Sequence, residues 1–410
     1  MINHKLGFQL YFINTIEDSE ASSFLFPDFN IRDSDGQSVL SLCLWNNSLD
    51  LAKKLIDHEA DENITDNDDI PLLHQAILRQ CTEAALFLLE QNVNINNKSS
   101  EENLTALQLA VKRHLPLVVE NLCKRGSDMT VLDSEGNSPL WTALDTGQED
   151  IADILVKNKC DTTQWNIGPE NCQQSLLHRA IDENNDAVAV FLIKSNCDIN
   201  SPRKPGLNGE TPEEATDGMT PLHLSCSFGL EKVVRALVED SRCEINQQDA
   251  CGNTSLHVAI ENQHEGIIEI LLRQSNIELK VKNQSGQSPF ATALMRKNNN
   301  VLNAILKKEP NAAEQLDNKG RNFLHVAVSN SDIETVLSLL SVNVNVNSKI
   351  NNSQGKTPLH LAVEAGSEIV VRNLVFRFLY LKLFFKIFLR NLLQAIFSEL
   401  LLYKIIISFF

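Results

Sequence analysis

The sequence has nine cysteines but no two of them spaced as Cys-x-x-Cys. An odd count without such pairs supports neither a disulfide framework nor a tetrahedral zinc site. Reduced thiols in a cytoplasmic setting are the expectation. Also missing are the phosphate-cradling Gly-x-x-x-x-Gly-Lys-Ser/Thr loop, the dinucleotide Gly-x-Gly-x-x-Gly turn, the zinc-binding His-Glu-x-x-His helix and the Gly-x-Ser-x-Gly nucleophile turn. The chain is therefore expected to carry no catalytic residue, no cofactor and no metal, and not to be an enzyme. Its acidic clusters, Glu210–Glu214 and Asp66–Asp69, fall in predicted loops, where solvation accounts for them. Basic charge is scarce: Lys+Arg 36 stand against Asp+Glu 53, a formal net charge of −17. Such a body repels phosphate backbones, which argues against nucleic acid as a partner. Met1–Phe12 is short for a secretory signal, and a polar, acidic stretch follows it.

What is present is repetition. A turn with Gly, then Ser/Thr-Pro-Leu-His, then an Ala-containing helix recurs along the chain. The block is cleanest at Thr220-Pro221-Leu222-His223, Thr254-Ser255-Leu256-His257 and Thr357-Pro358-Leu359-His360. Weaker copies stand at Ser138–Trp141, Ser175–His178, Ser288–Ala291 and Asn322–His325, and the most degenerate at Ser38–Ser41, Pro71–His74 and Thr105–Gln108. The third residue of each block falls at 40, 73, 107, 140, 177, 222, 256, 290, 324 and 359, with gaps of 33, 34, 33, 37, 45, 34, 34, 34 and 35. That period, headed by Thr-Pro-Leu-His, is identified as the ankyrin repeat. The expected fold is an all-α ankyrin-repeat solenoid of about ten repeats over residues 31–375.

Each block residue has a physical task. A hydroxyl such as that of Thr220 caps an orphan helix amide. Pro221 suits the first helical position, where its missing N–H costs nothing. Leu222 is a core residue. Small residues two places past the His, such as Ala76, Ala180, Ala259 and Ala362, let paired helices approach closely. A second apolar helix follows, as at Val233, Val234 and Leu237, then a polar turn ending in Asp-x-Asn, as at Asp198-Ile199-Asn200. One repeat cannot bury its own apolar face, so neighbours must stack. At a helix spacing of ~8–10 Å, ten repeats would form a curved rod on the order of 90 Å long.

Two gaps are long. The first holds an extended loop around Thr162–Pro169. The second holds a Pro-, Gly- and charge-rich insertion at 201–214 between the fifth and sixth blocks. Residues 1–30 do not match the block and read either as the end of an earlier repeat or as a cap. From Phe376 the composition changes: Phe, Leu and Ile make up 22 of the 35 residues in 376–410, with no Gly or Pro. No uncharged run there exceeds eight residues, whereas a span needs about 20 apolar ones. Three readings stand for this tail: non-native read-through of A/T-rich noncoding sequence, a basic amphipathic helix on a membrane surface, or a buried cap or span.

Six histidines, His74, His178, His223, His257, His325 and His360, hold the same block position. Neighbours would lie roughly 10 Å apart, too far to share an ion that needs ligands at ~2.0–2.1 Å. Hydrogen bonds to the hairpin loops are their expected role. Cys160 and Cys197 precede the turn Asp and replace a small Ala. Partner contacts are expected from the concave helix face and the hairpin tips around Asp133, Asp249, Asn283 and Asp317.

Longer stretches resemble one family. They include Leu177-His178-Arg179-Ala180-Ile181-Asp182-Glu183-Asn184-Asn185, Asn200-Ser201-Pro202-Arg203, Asp317-Asn318-Lys319-Gly320-Arg321-Asn322-Phe323-Leu324-His325 and Ala365-Gly366-Ser367-Glu368-Ile369-Val370-Val371-Arg372-Asn373-Leu374. These are similar to ankyrin-repeat and FYVE-domain proteins, including the insertion at 201–214. The resemblance implies an endosomal scaffold that binds a Rab-type small GTPase through its repeats and acts in endocytic trafficking and macropinocytosis. In that family a BTB domain precedes the repeats, and further repeats and a zinc-binding FYVE finger follow. This chain has no BTB-like segment and no Cys-x-x-Cys pairs for such a finger, so membrane association would be indirect, and the chain is expected to be a piece of a longer protein. Competing readings are a generic cytosolic ankyrin adaptor and the ankyrin part of a membrane protein.

Overall fold

Every one of the ten blocks opens a short helix, and a second helix follows each of them. In the computed structural model the pairs are α1 (Val39–Trp45) and α2 (Leu49–Asp57), α3 (Leu72–Leu78) and α4 (Thr82–Glu90), α5 (Ala106–Lys112) and α6 (Pro116–Lys124), and α7 (Pro139–Asp145) and α8 (Glu149–Lys157). After β1 (Trp165–Ile167) and β2 (Gln173–Ser175) come α9 (Leu176–Asp182) and α10 (Asp186–Lys194), α11 (Pro221–Phe228) and α12 (Glu231–Glu239), and α13 (Ser255–Glu261) and α14 (Glu265–Arg273). The series ends with α15 (Pro289–Met295) and α16 (Asn299–Lys308), α17 (Phe323–Ser329) and α18 (Ile333–Ser341), and α19 (Pro358–Glu364) with a helix over 368–377. The structure describes residues 28–99, 103–167, 173–204, 217–316, 319–342, 344–350 and 355–377.

The first helices start where the blocks put their caps. Thr220 is extended at φ −80°, ψ 166°, and its hydroxyl accepts from the His223 N–H. Ser38, Ser138, Ser288 and Asn322 do the same for their helices. Seven- to ten-residue helices would not hold alone in water, because nucleation costs more than so few bonds return. Burial supplies the rest. Leu40, Leu73, Leu107, Leu222 and Leu256 are all buried, each contributing about 1.5–3 kcal/mol. Phe290 fills the same place and meets Phe323 of the next block, ring centroids 5.4 Å apart. The small residues Ala76, Ala110, Ala143, Ala180, Ala259 and Ala362 are wholly buried.

By its contacts the chain divides into two compact units, Met1–Ile167 with Ser175–Leu177 and Phe191–Asp198, and Gly168–Gln174 with His178–Val190 and Ile199–Phe410. In the first, α3 packs on α5 and α5 on α7, while α4 packs on α6 and α6 on α8. In the second, α11, α13 and α15 form one row, and α12, α14 and α16 the other. In these rows each odd helix packs on the even helix that follows it, and odd helices pack on odd and even on even between neighbouring repeats, which is the ankyrin arrangement.

Asp317, most of the 201–214 insertion, most of the 1–30 segment and all but the first two residues of the 376–410 tail lie outside the described residues. Among the described residues no helix is long and apolar enough to cross a membrane.

Candidate partner-binding surface

Several of the hairpin loops share one device. Asp33 Oδ1 accepts from the N–H groups of Asp35 and Gln37 at 3.0 and 2.8 Å. Asp66 does so for Asp68 and Ile70, Asp133 for Glu135 and Asn137, and Asp249 for Cys251 and Asn253, all within 3.0 Å. Asn283 accepts from Gln287 at 2.9 Å. A short carboxylate or amide here mimics a backbone turn, which is why Asp and Asn recur at this spacing. The next turn residue is often Gly in the left-handed region. A Cβ on Gly252, φ +75°, would lie 2.9 Å from the Gln284 backbone nitrogen of the following loop. Only glycine lets these loops come so close: Gln284 N–H donates to the Cys251 carbonyl at 2.9 Å.

This device sets where the residues named for the hairpin tips lie within their loops. Asp133, Asp249 and Asn283 sit beneath the tips, with their side-chain oxygens turned inward; Asp249 is buried. The exposed positions are the residues they hold up: Ser134 and Glu135, Ala250 and Cys251, Gln284 and Ser285. A turn-forming Asp and an outward-facing Asp are the same letter, so the sequence marks these loops without saying which layer of them its Asp occupies.

The histidines fix the loops to the helices behind them. His74, His178, His223, His257 and His325 are fully buried. Their Nε2 atoms lie 3.1, 3.2, 2.9, 3.1 and 3.2 Å from the carbonyl oxygens of Leu104, Met219, Asn253, Gln287 and Lys356, each in the following repeat. A carbonyl can only accept, so Nε2 carries the proton. The Nδ1 atoms of His223 and His257 then accept from the N–H of Thr220 and Thr254. This explains one orphan. His74 Nδ1 is buried without a partner, because Pro71 at the cap offers neither N–H nor hydroxyl. The degenerate block Thr105–Gln108 keeps the chemistry through another residue. Gln108 Oε1 accepts from Thr105 N–H at 2.9 Å, and its Nε2 donates to Val131 O at 3.0 Å. Burial holds the imidazoles of His74, His223, His257 and His325 below their ordinary value of 6.5, so they are neutral at pH 7.

A second ladder joins the inter-repeat turns. Asn63 Oδ1 accepts from Asn94 N–H at 2.8 Å, Asn200 Oδ1 from Glu244 N–H at 2.9 Å, and Asn246 Oδ1 from Glu278 N–H at 2.9 Å. The amides of Asn200 and Asn246 also donate to the carbonyls of Arg242 and Asn276. Asn63 and Asn200 are the asparagines of Asp-x-Asn turns, and Asn246 closes the equivalent Glu244-Ile245-Asn246. At the foot of the insertion Arg203 pairs with Asp182 and, at 3.1 Å, with Asp217, and its N–H donates to Met219 O at 3.0 Å. That clamp is absent from a generic ankyrin pattern, and nothing in the repeat period announces it.

No group of three or more His, Cys, Asp or Glu side chains among the described residues is arranged to hold a metal ion. Cys43 and Cys123 are buried thiols pushed up to about 11 by loss of water, and Cys197 is buried in the turn where Ala is usual. Among the described residues the loop tips are exposed, as are the apolar side chains of Phe228 at the end of α11 and Met295 at the end of α15.

The family model for ankyrin repeats in three copies matches residues 15–99, 73–166, 107–203, 177–283, 272–350 and 290–378. Rabankyrin-5 of Mus musculus is 55% identical over 351 residues, 86% of this chain, and that of Homo sapiens 54% over the same share. The chain spans 30% of the length of both. Neurogenic locus notch homolog protein 1 of Xenopus laevis is 27% identical over 37% of the chain and 6% of its own length. By its blocks, its helix pairs and these relatives, the chain belongs to the ankyrin-repeat family, and its surface is that of a protein-interaction scaffold homologous to part of rabankyrin-5.

Proposed function

We propose that the chain is a non-enzymatic scaffold that binds a Rab-type GTPase in its GTP-bound form and works at endosomal membranes. The observation that carries this reading is the 55% identity to rabankyrin-5 over 86% of the chain, a protein whose name joins Rab to ankyrin. Contacts come from the exposed residues above Asp133, Asp249 and Asn283, and from the stretch around Asp317, which stands at the corresponding place in the sequence before the next block. Membrane association is indirect, through the bound GTPase or through parts of a longer polypeptide.

The test is recovery of the purified chain on immobilised endosomal Rab GTPases loaded with a non-hydrolysable GTP analogue or with GDP. Strong recovery on the GTP form alone is expected. Equal recovery on both forms would return the chain to the class of adaptors with other partners.

A further inference from the structure

The hairpin loops ahead of α11, α13 and α15 are tied to one another as well as folded from within. Ala250 N–H donates to the Asp217 carbonyl at 2.9 Å, and Gln284 N–H to the Cys251 carbonyl at 2.9 Å. Side chains repeat the link. Gln284 Nε2 donates to the Ala250 carbonyl at 2.7 Å, Gln248 Nε2 to the Lys282 carbonyl at 3.1 Å, and Asn283 Nδ2 to Asn253 Oδ1 at 2.9 Å. A Cβ on Gly218, φ +59°, would lie 2.9 Å from the Ala250 nitrogen, so the first approach is as close as the one at Gly252. The tips at 217–219, 249–253 and 283–287 thus form one braced ribbon. Helix α15 adds an apolar side chain to it: Met295 is 66% exposed, and its sulfur accepts from Gln287 Nε2 at 2.9 Å, at the foot of the third loop.

Charge sets this ribbon apart. Exposed tips elsewhere carry acids, as at Asp35, Asp68, Asp69 and Glu135. Here the exposed tip residues are Ala250, Cys251, Gln284 and Ser285. Asp249 is buried, Asp217 is paired with Arg203, and Lys282 stands at the edge. In a chain of net −17 the ribbon neither draws in a basic face nor repels an acidic one.

We propose that this ribbon, with Met295, supplies most of the affinity for the partner protein, and that it meets an uncharged, partly apolar face of that partner. The inference rests on the GTPase reading above and says which of the tips carry it. A loose loop loses conformational freedom when a partner orders it, whereas loops braced to each other have little left to lose. Small side chains at the tips let the partner's surface come close. The flexible thioether of Met295 moulds itself to an apolar side chain laid against it.

The experiment is surface plasmon resonance of the full chain over endosomal Rab GTPases loaded with a GTP analogue or with GDP, at about 50 and about 500 mM NaCl. On the GTP form the dissociation constant should change less than about 3-fold across that range, since salt screens charged faces and leaves neutral ones alone. Ala250→Glu, Ser285→Glu and Met295→Asp should each raise it about 10-fold or more, the effect of burying a charge in the centre of an interface. Asp35→Arg, on a tip outside the ribbon, should leave it within about 2-fold. All four positions are exposed, and unaltered thermal melting confirms that each variant folds. No GTP-dependent capture by the unaltered chain removes the GTPase reading and this docking site with it. GTP-dependent capture that the three substitutions leave unchanged overturns the docking site alone. So does capture that weakens about 10-fold or more between the two salt concentrations, because a charged face would then carry the affinity.

Discussion

The imidazole of His223 joins two repeats: Nδ1 accepts from Thr220 N–H at 3.3 Å, and Nε2 donates to the Asn253 carbonyl at 2.9 Å. Removing the ring leaves both partners buried and unpaired and opens a cavity. His223→Ala and His257→Ala should each cost about 2–3 kcal/mol in urea unfolding. His223→Gln should recover much of that loss, because Gln108 already makes both bonds in its own block. His360→Ala should barely move the midpoint. Equal losses at His223 and His360 would show that the bridge between repeats is not what the histidine contributes.

The same rings make the fold sensitive to acid. Burial lowers His74, His223, His257 and His325, opposed in part by their carbonyl partners. Below the unfolded value of about 6.5 the unfolded chain binds more protons than the folded one, so stability falls as pH falls. The urea midpoint should be flat above pH ~7 and decline from about pH 6.5 downward, and the slope should shrink in a His223→Gln, His257→Gln double variant. Asp182, raised chiefly by burial, acts at lower pH and in the opposite sense.

The orphan at His74 can be repaired. Pro71→Thr would offer Nδ1 both an N–H and a hydroxyl, the arrangement at Thr220 and Thr254. A gain of about 1 kcal/mol is expected, the worth of a cap hydrogen bond less the lost rigidity of proline. A loss in the same urea assay would mean that Pro71 supports its loop more than it starves the histidine.

Periodicity made the helices legible, since every block read in the sequence opens one. The task of each block residue was legible too, because caps and core positions follow from spacing. Three things were not. Gln108 looked like decay of the motif and instead preserves its hydrogen bonds, since an amide has both a donor and an acceptor at the reach of an imidazole. Asp133 and Asp249 mark hairpin loops in the sequence, but their inward hydrogen bonds to the turn appear only in the structure. Arg203 lies in an irregular stretch, where pairing with Asp182 depends on a chain path that no period encodes.

That arginine should be expensive to remove. Its side chain is 10% exposed, and Asp182 beside it 14%. Arg203→Ala leaves two carboxylates near each other with no counter-charge, and should cost about 3 kcal/mol or more. Arg203→Met with Asp182→Asn should cost clearly less than the sum of the single changes. Thermal unfolding of the four proteins checks this cycle.

Turn and tip can be separated. Asp249→Ala should cost about 1–2 kcal/mol by freeing the N–H groups of Cys251 and Asn253. Glu135→Lys, on an exposed tip, should leave unfolding unchanged and weaken GTPase capture if that loop touches the partner. Surface plasmon resonance beside thermal melting reads both.

The inward Asp of these hairpins has a consequence for how such a chain changes over time. Because one side chain folds the tip from within, the residues above it are relieved of making the turn. Ser134 can then be exchanged without unfolding its loop, whereas Gln284, whose Nε2 donates to the Ala250 carbonyl at 2.7 Å, ties its own edit to the loop before it.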